Sequence, residues 1–144
     1  MPGRRISAGS LDQGLATLER AGARVLVIGT TPRFEYAIPS CVVRRDERTC
    51  RILRSKHDSD TVAANELLTA VVARHPNTRL WDPAARYCDA HYCYPSQDGT
   101  LMFRDEHHLS RRGAQTSVLD LKPALDWLLQ TSPETPRQQP PAKF

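Results

Sequence analysis

Arg24-Val25-Leu26-Val27-Ile28-Gly29 is the stretch on which the fold turns. A short, β-branched apolar run closed by glycine reads as a strand buried on both faces of a sheet. Immediately before it, Leu11, Leu15, Leu18 and Ala21 recur at helical spacing, and Gly22 suits the end of that helix. A helix feeding directly into such a strand is an α/β pattern.

Working outward, residues 30–57 read as irregular, with Pro32, Pro39 and many charges. Asp58 or Ser59 can cap a second helix through about Arg74, with Val62, Leu67, Leu68, Val71 and Val72 facing inward. His75-Pro76-Asn77 stops it, and Thr78-Arg79-Leu80-Trp81-Asp82 reads as another strand. Strand, helix, strand implies a crossover and a parallel pair. Trp81 and Trp127 sit in apolar periodic segments and read as core anchors. Gln97-Asp98-Gly99 reads as a turn, and Ser110 can cap a last helix containing Val118, Leu121, Leu125, Leu128 and Leu129. Pro123 should kink or interrupt that helix. The resulting domains are an N-terminal arm over 1–10, a partial α/β domain over 11–130, and a disordered Pro-rich tail over 131–144. Two strands and three helices are few for a doubly wound sheet, so the pattern resembles the C-terminal portion of a larger α/β domain.

At 144 residues and 40% hydrophobic, the chain holds one compact domain. The cations behind its +4 charge are nearly all arginine, with scattered pairs at Arg4-Arg5, Arg44-Arg45 and Arg111-Arg112 and no stripe of the kind that tracks nucleic acid. No nucleic-acid partner is expected. No run approaches the roughly 18 apolar residues of a membrane span. Met1-Pro2-Gly3-Arg4-Arg5 leads into no apolar signal region, so the chain as written would stay in the cytoplasm. Its cysteines disagree. Cys41, Cys50, Cys88 and Cys93 form two local couples, which suit two disulfide loops in an exported protein and free thiols or a metal site in a cytosolic one. Cys88, His91 and Cys93 with His107 and His108 offer a conceivable zinc set, though the spacing is not that of a common finger and adjacent histidines do not easily aim at one metal.

The chemistry-bearing stretch is Asp105-Glu106-His107-His108-Leu109-Ser110. An aspartate three residues before a histidine, in a loop opening a helix, can hold the imidazole in the tautomer that takes a proton from a hydroxyl. The same residues would also serve as a plain helix start at Ser110-Arg111.

Phe103-Arg104-Asp105-Glu106-His107-His108-Leu109-Ser110, followed by Gly113-Ala114, resembles the end of SGNH hydrolase-like domains, and more closely the SGNH domain fused to bacterial membrane-bound acyltransferases that O-acetylate surface polysaccharides. The helix ending at Ala21-Gly22, the strand Val25 to Ile28, the loop through Pro32 and Pro39, and the Cys88–Cys93 loop follow the same order, over roughly residues 11–130. The resemblance implies a partial three-layer, flavodoxin-like α/β fold with parallel strands. It implies that Asp105 orients and His108 is the general base, while His107 fills a slot that varies in the family and is often acidic. It further implies acetylated carbohydrate or an acyl donor as substrate, an upstream membrane acyltransferase domain as partner, an extracytoplasmic location, and no cofactor. The family's serine lies in a Gly-Asp-Ser block after the first strand, with a glycine and an asparagine in later blocks as oxyanion donors, all upstream of Leu11. Gly9-Ser10-Leu11 has no strand before it, so Ser10 reads as a helix N-cap. The expectation is an Asp–His half-site that stays inactive in isolation unless another polypeptide supplies the serine. The alternative is a non-catalytic α/β remnant or a partner-binding pseudo-domain.

Overall fold

A computed structural model describes residues 7–130; the tail expected over 131–144 lies outside the described residues. Helix α1 (Ala8–Arg20) begins earlier than its apolar spacing suggested, so the last residues of the expected arm are helical. Ser7, not Ser10, is its N-cap, and the two serines form a reciprocal capping box. The helix closes as a Schellman turn: the Gly22 N–H donates to Glu19 and the Ala23 N–H to Leu18, with Gly22 at φ +79°.

Strands β1 (Val25–Ile28) and β3 (Thr78–Trp81) pair in parallel, Val25 opposite Thr78 and Ile28 opposite Trp81. Helix α3 (Arg54–Val72) lies between them in sequence. Thr78 reaches Glu19 of α1 on one face, while its neighbour Arg79 stacks over Trp127 of helix α5 (Arg111–Leu129) on the other. Alternation along β3 therefore places helices on both sides, giving the three-layer α/β arrangement expected.

Several expectations need correction. Strand β1 is only partly buried, and Ile28 is 54% exposed, because among the described residues its sheet has just two strands. Helix α3 starts at Arg54, not Asp58. Its first turn follows directly from strand β2 (Ile52–Leu53) and is braced by Arg54–Asp58 and Lys56–Asp60 pairs at helical spacing. Val62 faces solvent, as do Val118 and Leu129 of α5. Helix α5 runs through Pro123 uninterrupted: Pro123 and Leu119 are both exposed, so the Leu119 carbonyl left without its helical donor faces water. Trp127 is a half-buried platform beneath two guanidinium groups, Arg24 and Arg79, instead of a core anchor.

Residues 30–57, read as irregular, and the stretch from 84 to 104 hold most of the packing. Helix α2 (Ile38–Arg44), β2, the short helix α4 (Ala84–Tyr87), strand β4 (Tyr92–Cys93) and the hairpin of β5 (Ser96–Gln97) and β6 (Thr100–Leu101) surround one cluster: Phe34, Ile38, Ile52, Tyr87, Cys93, Met102 and Phe103. Phe103 takes edge-on contacts from Phe34 and Tyr87 at ring-centroid distances of 4.8 and 5.0 Å. The expected turn is the two-residue connection Asp98-Gly99 between β5 and β6. Cys41–Cys50 and Cys88–Cys93 are disulfides, leaving no cysteine free among the described residues. Within the second loop, the Tyr94 hydroxyl and the backbone N–H groups of Tyr92 and His91 all donate to Asp89, pulling its carboxyl down to about 2.

Candidate active site

The Asp105–His108 loop stands on that cluster. Phe103 is fully buried beneath it and pairs across the loop with Leu109 in an antiparallel bridge. The Arg104 N–H donates to the His108 carbonyl at 2.9 Å and the Ser110 N–H to Met102 at 2.8 Å. Ser110 caps α5, as its sequence position suggested: its Oγ accepts from the Gly113 N–H at 3.0 Å and donates to the Leu101 carbonyl at 2.7 Å. Gly113 is where the helix presses on the loop's base, since a Cβ there would run into the Met102 carbonyl. The buried Tyr87 hydroxyl bonds the Gly113 carbonyl and Ser117, fastening the same turn from below.

The loop also docks on the segment that leaves the carboxyl end of β1. The Phe34 N–H donates to the Glu106 carbonyl at 2.7 Å, and the Thr31 hydroxyl to the His107 carbonyl at 3.2 Å. The pair thus lies beside the carboxyl end of a parallel strand, where open α/β sheets build their sites.

The structure brings the two expected residues together. His108 Nδ1 sits 2.9 Å from Asp105 Oδ2 and 3.1 Å from Oδ1. Asp105 Oδ1 also accepts the backbone N–H groups of His107 (3.0 Å) and His108 (2.8 Å), an Asx-type turn that fixes the carboxylate before any side chain meets it. Those two backbone donors, then the His108 ring, hold the Asp105 carboxyl far below the usual carboxylate range, against the opposing effect of its partial burial. Asp105 therefore favours its anionic form. It orients an imidazole whose Nδ1–H it binds, leaving Nε2 as the acceptor. His108 is 54% exposed, so that nitrogen is open to a second reactant.

Among the described residues, no hydrogen bond joins a serine hydroxyl to His108. Ser10 donates to the Ser7 carbonyl at 2.9 Å inside the first turn of α1. The zinc set built on Cys88 and Cys93 is overturned, because both sulfurs are bonded to each other and carry no lone thiolate for a metal.

Two open clefts flank the loop, and the sequence did not point to their lining. One, of about 610 Å³, lies among Gly29, Thr30, Thr31, Arg33, Asp60 and His107. The other, of about 570 Å³, gathers Arg33, Glu35, Lys56, Asp60 and Glu106. The signal that could have found them is position: residues 29–33 follow the carboxyl end of β1, and Lys56 to Asp60 open α3. His57, in that same turn, is buried, and burial lowers its pKa.

The family described as SGNH domain (fused to AT3 domains) matches residues 2–118, a span that includes Asp105, His108 and Gly113. Neither curated proteins nor solved structures yield a match.

Proposed function

The chain belongs to the SGNH domain family, whose members occur fused to AT3 domains, and on that premise we propose that Asp105 and His108 form the base half of an acyl-transfer site acting on acetyl esters of cell-surface carbohydrate. The observation that carries this reading is the 2.9 Å contact between His108 Nδ1 and an Asp105 carboxylate already pinned by two backbone N–H groups. Such a carboxylate selects the tautomer with its proton on Nδ1 and stabilises the imidazolium formed when Nε2 takes a proton.

The hydroxyl that loses this proton comes from outside the described residues, in the same polypeptide or a partner. His108 removes its proton as it attacks the acyl carbon, then returns it to the leaving oxygen. A positioned base of this kind contributes about 10²–10⁴-fold. The clefts of Thr30, Thr31 and Asp60 on one side and Arg33, Glu35 and Lys56 on the other supply the mixed hydroxyl, carboxylate and cationic groups that suit a polyhydroxylated acceptor. An AT3-type membrane acyltransferase domain is the partner that would deliver the acyl group. Two disulfides fit an oxidising, extracytoplasmic compartment, and no described helix is long and apolar enough to cross a membrane.

The second reading, a non-catalytic α/β partner of an acyltransferase, is favoured by the lack of any serine hydroxyl bonded to His108 among the described residues. Hydrolysis of p-nitrophenyl acetate and serine labelling by a fluorophosphonate separate the two. Both are measured on residues 1–144 alone and together with an AT3-type domain. The acyl-transfer reading expects turnover in the complex that falls roughly 10⁴-fold in Asp105→Asn and at least as far in His108→Ala. Turnover that ignores both substitutions, or none in either preparation, sinks it in favour of the second. Labelling of a serine among residues 7–130 would overturn the assignment of the nucleophile to a segment outside the described residues.

A further inference from the structure

Asp105, His107 and His108 present one carboxylate oxygen and two imidazole nitrogens that all lie within 4.8 Å of one another. The two rings stack side by side at 4.0 Å between centroids, and His107 Nδ1 is 3.8 Å from Asp105 Oδ1 while His108 Nδ1 is 2.9 Å from Oδ2. Adjacent histidines were not expected to aim easily at one metal. The turn around Asp105 Oδ1 bends the backbone so that both rings face the same carboxylate. We propose that these three side chains form a binding site for a divalent late transition metal, zinc above all, that excludes the proton-taking role of His108 while occupied.

The donor set argues for that class of ion. Two imidazoles and a carboxylate suit zinc and its neighbours, whereas magnesium and calcium favour all-oxygen shells. Bonds near 2.0–2.1 Å in a tetrahedral site separate ligand atoms by roughly 3.4 Å. The two contacts to Asp105, 2.9 and 3.8 Å, bracket that spacing, and all three donors lie within 4.8 Å. The carbonyls of His107 and His108 are each anchored, to Thr31 and to the Arg104 N–H. These contacts hold the backbone that aims the ligands, the task of a supporting shell. Both rings are about half exposed, which leaves an entry path and room for water as the fourth ligand.

The ion and the base cannot share His108. A neutral imidazole carries one N–H. An ion on Nδ1 requires that proton to sit on Nε2, which then has no lone pair for the substrate; an ion on Nε2 takes that lone pair directly. This consequence rests on the acyl-transfer reading, whereas the binding itself does not.

The test is a calorimetric titration of zinc into untagged, disulfide-bonded chain. One zinc per chain is expected, with affinity falling at least the roughly 10–100-fold that the loss of mere supporting contacts costs in His107→Ala, and unchanged in His91→Ala, an exposed histidine of the Cys88–Cys93 loop. Imidazole proton signals of His107 and His108 should shift on titration while that of His75 does not. Binding that is equally tight in His107→Ala, or that disappears in His91→Ala, overturns the site, as does the absence of binding. Because none of these readouts passes through ester turnover, zinc binding without any hydrolysis would leave this inference standing and remove the proposed function.

Discussion

The sheet layer and the loop-rich layer of this molecule are built on opposite plans. In the sheet layer, four-residue strands pair in parallel between helices, and apolar side chains such as Ile28, Val62 and Val118 remain about half exposed. In the loop layer, strands are two residues long, yet Phe103, Ile38, Tyr87 and Cys93 are essentially inaccessible and two disulfides tie the ends of the segments. The buried aromatic cluster thus lies where regular secondary structure is scarcest, while the sheet layer buries single side chains of its helices, Leu15, Val71 and Leu121. The Asp105–His108 pair sits on the packed layer, where position is fixed by aromatic contacts and covalent bonds more than by sheet register.

The hardest blow to this contrast comes from truncating one apolar side chain in each layer. Phe103→Ala should cost about 3–5 kcal/mol, enough to unfold much of the protein, whereas Ile28→Ala, half exposed already, should cost less than about 1 kcal/mol. Urea denaturation followed by circular dichroism measures both, and equal losses would erase the distinction. Gly113→Ala probes the seam, because its new methyl meets the Met102 carbonyl; a loss of about 1–3 kcal/mol from overpacking is expected, together with a weakened Asp105–His108 contact visible in the His108 ring signals.

Removing a disulfide is the next step down. Cys41→Ala/Cys50→Ala and Cys88→Ala/Cys93→Ala should each cost about 2–3 kcal/mol by loop closure, slightly more for the former because its loop is longer. Thermal melts of the paired variants decide this.

A subtler test concerns pH, and it falls on the sheet layer. His75 is buried between α1 and β3, its Nδ1 at 2.8 Å from Glu19 and its Nε2 at 3.3 Å from Asp12, while Arg74 also bonds Asp12 at 2.8 Å. Glu19 foremost, then Asp12, raises the pKa of His75 above its ordinary 6.5 despite the opposing effect of burial. Its contribution is therefore complete below about 6.5 and is lost as the pH rises through the raised folded value. Arg74 lowers the pKa of Asp12 and His75 that of Glu19, so their contributions are complete above the ordinary carboxylate range and are lost as the pH falls through the depressed values. Stability should peak between those limits, and His75→Gln should flatten the alkaline side, as denaturation midpoints between pH 5 and 9 would reveal. The smallest effect is reserved for the exposed Lys122–Asp126 pair on α5, whose loss in Lys122→Ala should stay below about 0.5 kcal/mol.

The unequal legibility of the two layers has the same physical origin. Periodicity announced α1 and α5, an unbroken apolar run announced β1, and chain chemistry alone marked Gly22 as a helix end, Ser110 as a cap and Asp98-Gly99 as a turn. Asp105 and His108 were legible because one turn sets both, and three residues of spacing suffice to describe it. Elements α2, β2 and β4 were not, since a two-residue strand has no period and Phe34 meets Phe103 only after the chain has folded. The clefts were hidden for a related reason: Thr31, Asp60 and His107 converge from three separate segments, and only the last carries a motif. Even the stacking of His107 on His108 depended on hydrogen bonds to Asp105 Oδ1 that no residue spacing encodes.

Trp127 has an optical consequence. Its indole lies beneath the guanidinium groups of Arg24, at 5.5 Å, and Arg79, at 4.3 Å, and its carbonyl accepts from Arg24 at 2.6 Å. Two cations near one chromophore shift its emission according to how closely α5 lies on the sheet. With the second tryptophan replaced in Trp81→Phe, the indole of Trp127 is an intrinsic fluorescent gauge of that contact, at the far end of the helix that the loop begins.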